Sequence, residues 1–196
     1  MKSDIYKFTS VEDNLSILLD EAERTAIYNG LEKKQMLHLR LLCEELICML
    51  PELLEYSDAR FWIESEGKSY YINVALTASN VILLDEEKLL AIATSKKNSA
   101  RGILNAIKSV VYCFIAQKNS LVTFTGGENE YYDMGHCNNA GIDGWTLNEY
   151  RESAKKDLTS KTWDELEKSI IAGIADDVRV EIIGDEIAIR ISKKFA

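Results

Sequence analysis

Residues 33–55 read KKQMLHLRLLCEELICMLPELLE, and this stretch decides how the rest of the chain is interpreted. Apolar residues recur in it at steps of three and four, which places them on one side of a helix at about 100° per residue. They are Met36, Leu39, Cys43, Leu46, Leu50 and Leu53. The spacing predicts a long helix over 33–55 that faces a core. Its last turn should bend or loosen at Pro51, because proline lacks a backbone donor.

A flank of this predicted helix, beside its apolar side, carries titratable residues. His38, Leu42, Glu45 and Met49 follow one another at steps of three or four, so they line one edge of the helix. By its spacing alone, Glu45 is a partly exposed helix acid beside the apolar side.

Composition limits the class of protein. The chain has 196 residues, of which 46% are hydrophobic and 28% charged, as in soluble globular domains. No apolar run approaches the roughly 20 residues that span a bilayer, and MKSDIYKF at residues 1–8 lacks a secretory signal, so we expect a cytoplasmic protein without membrane contact. The net charge of −9 argues against nucleic-acid binding, because Lys and Arg must neutralise phosphates. The four cysteines lack zinc-ligand spacing and are predicted to be core residues, and no metal site is predicted.

Strand and helix patterns alternate on either side of the central helix. Residues 4–8 are β-prone, and Ser10 opens a helix that ends at about Tyr28, before the stop signal Asn29-Gly30. Alternation over 60–64 and 70–76 predicts a hairpin that turns at 66–68. After this hairpin, the patterns predict a helix over 85–94, a loop over 95–99, a helix over 102–117 and a strand over 121–125. An irregular excursion follows over 126–145. The last predicted elements are a helix that starts with a capping box at 162–165 and reaches Ile174, and a hairpin over 178–182 and 187–191.

This order of elements predicts an α+β fold. We expect a two-layer sandwich in which helices pack on one face of a mainly antiparallel mixed sheet. There is no internal repeat, low-complexity tract or proline-rich linker, so residues 1–196 are predicted to form a single domain with an irregular insertion at about 126–161.

Three stretches, together with the order of elements, resemble the histidine-kinase-like ATPase (GHKL) fold. They are LRLLCEELICML at 39–50, NSARGIL at 98–104 and DDVRVEIIGDEIAIRISKKF at 176–195. The family includes DNA gyrase, sensor histidine kinases and anti-sigma serine kinases, and the small anti-sigma-factor kinase type is similar in layout. The resemblance covers residues 4–117 and 162–195 and implies the same sandwich fold.

The resemblance also implies a nucleotide site whose motifs are degenerate here. In the family, a Glu activates water and an Asn four residues later holds magnesium against the phosphates. Glu45 matches that Glu, whereas Met49 stands at the Asn position, and a thioether is a poor ligand for magnesium. The family's Asp-x-Gly-x-Gly motif is replaced by TASN at 77–80, and only Gly102 remains of the glycine-rich lid.

Three functions follow as expectations. The preferred one is a catalytically silent ATPase-like regulatory or protein-interaction module, with a protein partner, a homodimer as one option, and no cofactor. The alternative is a divergent ATP-binding protein or anti-sigma-type serine kinase that uses ATP and magnesium, with Glu45 as base. Its nucleotide would contact Asn80, Lys97, Asn98, Arg101 and Gly102. The third is a small-molecule binder in which the tyrosine-rich excursion closes the pocket. Tyr131, Tyr132 and Trp145 of this excursion either form a binding surface or pin the long loop to the body.

Overall fold

The computed structural model describes residues 1–53, 56–78, 103–104, 106–107, 111, 144–156, 169–183 and 186–196. Its helices are α1 (Val11–Tyr28), α2 (Lys33–Leu53), α3 (Leu147–Lys156) and α4 (Ile170–Ile174). Its strands are β1 (Tyr6–Phe8), β2 (Tyr56–Glu66), β3 (Ser69–Ala78), β4 (Trp145–Thr146), β5 (Asp177–Ile183) and β6 (Glu186–Lys194). The α+β class is thereby confirmed.

The six strands form one open sheet in the order β1-β2-β3-β6-β5-β4. Every pairing among these strands is antiparallel, so the described sheet is not mixed as the sequence had suggested. The long closing hairpin β5-β6 adds to β3, which places the last strands of the chain at the centre of the sheet beside the first hairpin. Contacts between residues more than 100 positions apart therefore hold the sheet together.

Alternation along the strands separates an apolar face from a polar one. On β2 and β3 the pairs Phe61–Val74 and Ile63–Ile72 lie on the helix side and are at most 1% exposed. Ile189 of β6 extends this layer from the other side of β3. Helices α1 and α2 cover this face and bury their own apolar sides: Leu18, Ala22 and Ala26 on α1, and Leu39, Cys43, Leu46 and Leu50 on α2.

Local signals explain where α1 ends and α2 begins. The amide of Leu31 donates to the carbonyl of Ala26 at 3.0 Å, and Gly30 adopts φ +66°, which closes α1 with a left-handed residue. Gln35 then accepts from the backbone N–H of Glu32 at 3.0 Å, as the third residue of a capping box does. The predicted stop at Asn29-Gly30 is confirmed.

Both predicted hairpins and the central helix are confirmed, with longer strands than the patterns indicated. The first hairpin extends to Tyr56 and Ala78, and its turn contains Gly67 at φ +57°. Pro51 lies inside the last turn of α2. The extra length comes from sheet neighbours, since cross-strand pairing continues beyond the part of each strand that alternates clearly.

The irregular insertion predicted at 126–161 is wrong for residues 145–156, which form β4 and α3. Thr146 accepts from the amide of Glu149 at 3.2 Å, and Asp177 accepts from the amide of Asn148 at 3.1 Å, so α3 has a capped start. The Thr-x-x-Glu spacing was the missed signal.

Of the helix predicted from 162 to 174, residues 162–168 lie outside the described residues, and Ile170–Ile174 is helical as α4. Ser169 is not part of this helix: its backbone is extended, and its hydroxyl accepts from the amide of Ala172 at 3.3 Å, so it caps the start of α4. Arg151 of α3 then donates to the carbonyls of Ala172 (2.6 Å) and Ala175 (3.2 Å), which satisfies the end of α4. The end of one short helix is thus held by a side chain from another.

Two further expectations have definite outcomes. Cys43 is buried as predicted, whereas Cys48 is exposed and is not a core residue, because it lies on the side of α2 that faces away from the sheet. The expected elements at 85–94 and 121–125, with Cys113 and Cys137, lie outside the described residues. From the helix expected at 102–117, Ile103, Leu104, Ile107 and Val111 are described and buried.

Candidate functional site

The flank of α2 around Glu45 is where the sequence placed chemistry. Glu45 and His38 are half-buried there, whereas Leu42 is fully buried and Met49 is 3% exposed. Two of the four positions therefore belong to the core. The flank is a margin of the apolar layer and not a separate polar cleft.

Partial burial changes the pKa of the Glu45 carboxyl. Desolvation raises the pKa of its carboxyl, and the neighbouring carboxylate of Glu44 raises it further. A raised pKa suits a general acid or base, but the same shift arises whenever a helix acid sits against apolar side chains. No described basic group compensates it.

A magnesium ligand is lacking one turn after Glu45. Met49 turns into the core, and its sulfur is a soft donor that does not replace an amide oxygen at a hard cation. In the described part of the chain no three His, Cys, Asp or Glu side chains come together in an arrangement that could hold a metal ion. The other proposed nucleotide contacts, Asn80, Lys97, Asn98, Arg101 and Gly102, lie outside the described residues, as do Tyr131 and Tyr132.

Trp145 belongs to the fold and not to an isolated loop. It pairs with Val180 across β4 and β5, and its ring packs on Tyr150 with 5.8 Å between centroids. Both aromatic residues are partly buried against the core. Trp145 therefore fastens this part of the chain to the sheet.

The sheet face opposite the helices carries a polar cluster that the sequence had not singled out. Its centre is Glu64, which accepts from Trp62 Nε1 at 2.9 Å, lies 3.3 Å from Lys2 Nζ and lies 3.8 Å from Arg190 Nη2. The Trp62 hydrogen bond, then Lys2 and Arg190, lower the pKa of Glu64 against an opposing effect of desolvation. Its carboxylate is held ionised and already has partners.

A second part of the cluster ties β3 to β6. Asn73 is only 3% exposed; its Oδ1 accepts from Arg190 Nε at 2.7 Å, and its Nδ2 donates to the carbonyl of Tyr71 at 3.0 Å. The Arg190 guanidinium also lies 5.7 Å from the centre of the Tyr71 ring. In the sequence, these residues stand at the polar positions that alternate with apolar ones along the strands. Alternation does not show which polar residues of different strands contact each other.

Beside this cluster, an open depression of about 470 Å³ lies at the hairpin end of the sheet. It is lined by Met1, Lys2, Glu64, Ser65, Glu66 and Tyr71. Two of its charged lining groups are engaged with each other and with Trp62: Glu64 accepts from Trp62 Nε1 and lies 3.3 Å from Lys2 Nζ, which lies 5.0 Å from the Trp62 ring centre.

Comparison with protein-family models found no family that matches the chain, and comparison with curated proteins found no matching sequence. In the part of the chain that the structure describes, no helix has the length and apolar character that crossing a membrane requires.

Proposed function

We propose that this chain is a catalytically silent, ATPase-like regulatory module that acts by binding other protein surfaces. The observation that carries the proposal is the buried Met49 one turn after Glu45. A nucleotide site of the histidine-kinase-like type needs an oxygen ligand for magnesium at that place, and the chain offers a thioether that packs into the core.

The surroundings of Glu45 support the same proposal. A catalytic glutamate needs space on its open side for a nucleotide phosphate and a water molecule. Leu42 is fully buried on one side of Glu45 along α2, and Met49 is nearly so on the other. The carboxylate thus lies at the margin of a packed layer, where a raised pKa reflects desolvation.

A protein-interaction role is further supported by the side chains on the open sheet face. Trp62, Tyr71 and Arg190 are of the three residue types that most often dominate binding energy at protein interfaces. Glu64 holds Trp62, Asn73 holds Arg190, and the Arg190 guanidinium lies over the Tyr71 ring, so little side-chain freedom is lost when they are covered. The residues are consistent with a preorganised contact surface.

A thermal-shift titration tests the proposal. Magnesium with ATP or with ADP should leave the melting temperature of the full chain unchanged, because only a ligand that binds the folded state stabilises it. The titration should be repeated on Glu45→Ala and on the matched control Glu44→Ala, which removes the neighbouring acid.

A concentration-dependent rise in melting temperature that Glu45→Ala abolishes and Glu44→Ala retains would overturn the proposal. It would support the divergent ATP-binding protein or serine kinase instead. A rise that survives both substitutions would also contradict a silent module and would place the nucleotide elsewhere.

A further inference from the structure

The outward side of α1 carries an unusual stripe of exposed residues. The α1 outer stripe consists of Ile17, Asp20, Arg24, Ile27 and Tyr28, which fall within an arc of about 100° when the helix turns about 100° per residue. The buried residues Leu18, Ala22 and Ala26 lie on the opposite side. The stripe therefore points away from the core.

The apolar members of this stripe are open to solvent. Ile17 is 49% exposed, Ile27 65% and Tyr28 77%. Three of the seven exposed large hydrophobic side chains among the described residues lie on this one helix face, so they are not scattered singly over the surface. Clustered exposed apolar residues next to charges are typical of an interaction surface.

The order of residues in the stripe is symmetric about position 22. Asp20 and Arg24 stand two positions on either side, and Ile17 and Ile27 stand five positions on either side. A two-fold axis that crosses the outer side of α1 at this level brings Ile17 of one copy to Ile27 of the other. It also brings Asp20 of one copy to Arg24 of the other.

We propose that two copies of this chain associate through an antiparallel pairing of their α1 outer stripes. A two-fold interface uses the same patch on both subunits and must be complementary to itself, which the opposite charges and matched isoleucines of this stripe satisfy. Neither Asp20 nor Arg24 makes an ion pair with another described residue.

The size of the surface sets the expected strength. From Ile17 to Tyr28 the stripe is about 17 Å long at about 1.5 Å per residue. One helix pair of this length buries less than the roughly 800 Å² per partner of a standard interface, so a reversible dimer of modest affinity is expected. This surface is separate from the flank around Glu45, and a failed dimer test leaves the nucleotide question open.

Sedimentation equilibrium over a range of protein concentrations tests the proposal. The average mass of the wild-type chain should rise with concentration from 22.2 kDa towards twice that value. Arg24→Asp alone, and Asp20→Arg alone, should weaken dimerisation by about tenfold or more, because each puts like charges opposite one another. Arg179→Asp, which reverses an exposed charge on the opposite side of the sheet, should leave the dimer unchanged.

A mixing experiment makes the test specific for the pairing. Equal amounts of the Asp20→Arg and Arg24→Asp variants should form a heterodimer, because one copy then presents only positive and the other only negative charge at these two positions. The double variant Asp20→Arg with Arg24→Asp should dimerise by itself. A constant mass of 22.2 kDa for the wild type, a dimer that survives Arg24→Asp, or a mixture that stays monomeric would each overturn the proposal.

Discussion

The two faces of the sheet are built from the same strands but are stabilised in different ways. The helix side is a continuous apolar layer in which Phe61, Ile63, Ile72 and Val74 are at most 1% exposed. The open side is held by directed contacts, with Glu64 and Asn73 as acceptors for Trp62, Lys2 and Arg190. The apolar face depends on area removed from water, whereas the polar face depends on a few geometries.

The two faces shift the pKa of a carboxyl group in opposite directions. Glu45, at the margin of the helix layer, has a pKa raised by desolvation, whereas Glu64, on the open face, has a pKa lowered by its hydrogen bond from Trp62 and by cations. The sequence drew attention to Glu45 because of its position on the central helix. In the tertiary structure it is Glu64 that is surrounded by polar partners, namely Trp62, Lys2 and Arg190.

The largest expected difference between the two faces is seen at neighbouring residues of β2. Phe61→Ala should lower the free energy of unfolding by about 3–5 kcal/mol, because it leaves a cavity in the apolar layer. Trp62→Phe, on the open face, keeps an aromatic ring and should cost about 1 kcal/mol through the lost hydrogen bond to Glu64. Urea unfolding followed by circular dichroism measures both. Equal losses at the two positions would show that the faces do not differ as described.

Asn73 tests whether the polar face depends on specific geometry. Asn73→Ala should cost about 1–2 kcal/mol, because it removes both the acceptor of Arg190 Nε and the Nδ2 donor to the Tyr71 carbonyl. Arg60→Ala is the control on the same face. It breaks the Arg60–Glu186 contact at 2.6 Å between partly exposed side chains and should cost less than about 1 kcal/mol. A smaller loss for Asn73→Ala than for Arg60→Ala contradicts this ranking.

Thr25 is a polar residue on the apolar side of α1, and replacing its hydroxyl with a methyl group should stabilise that side. It is 1% exposed, and its Oγ1 has no hydrogen-bond partner among the described atoms. Thr25→Val should raise the free energy of unfolding by roughly 1 kcal/mol, because a buried hydroxyl without a partner is replaced by a methyl group of similar size. Thr25→Ser keeps the hydroxyl and should destabilise. Thermal and urea unfolding of the pair decide between these signs.

The smallest expected effects concern the pH dependence of the two glutamates. Glu64 has a lowered pKa, so its ionised form stabilises the fold above the ordinary value of 4.5, and Glu64→Gln should destabilise by less than about 1 kcal/mol at pH 7. That loss should disappear as the pH falls through the folded pKa.

Glu45 has a raised pKa, so ionisation disfavours the fold and the sign is opposite. Glu45→Gln should stabilise slightly at pH 7, with a gain that vanishes below pH 4.5 because both states are then protonated. Unfolding curves from pH 3.5 to 8 measure both effects. The same sign for both variants at pH 7 would contradict the assignment.

Much of the fold could be predicted from periodicity. The helix step of α2 predicted that Leu46 faces the core, and alternation predicted the two hairpins that carry Ile72 and Ile189, which are buried on the same side of the sheet. The elements that were missed, β4 and α3, are short, and α3 starts at a Thr-x-x-Glu cap inside a polar stretch. Helicity at Ile170–Ile174 was predicted, but the cap at Ser169 that starts α4 was not.

The candidate sites were less accessible from the sequence. Glu45 and Met49 were singled out because they stand at the Glu and Asn positions of the family motif that the helix resembles, but that Met49 would be buried depends on what packs against α2. The contact between Asn73 and Arg190 joins residues 117 positions apart, and no local pattern specifies such a pair.

By itself, the sequence determined the class of fold, the apolar sides of α1 and α2, and the symmetric order of residues on the α1 outer stripe, because these follow from periods of 3.6 and 2 residues. Only the tertiary structure decided that the stripe is left uncovered, that Cys48 is exposed, and that the polar face of the sheet gathers around Glu64. Burial and partnership arise when distant segments pack together, and local chain geometry does not encode them.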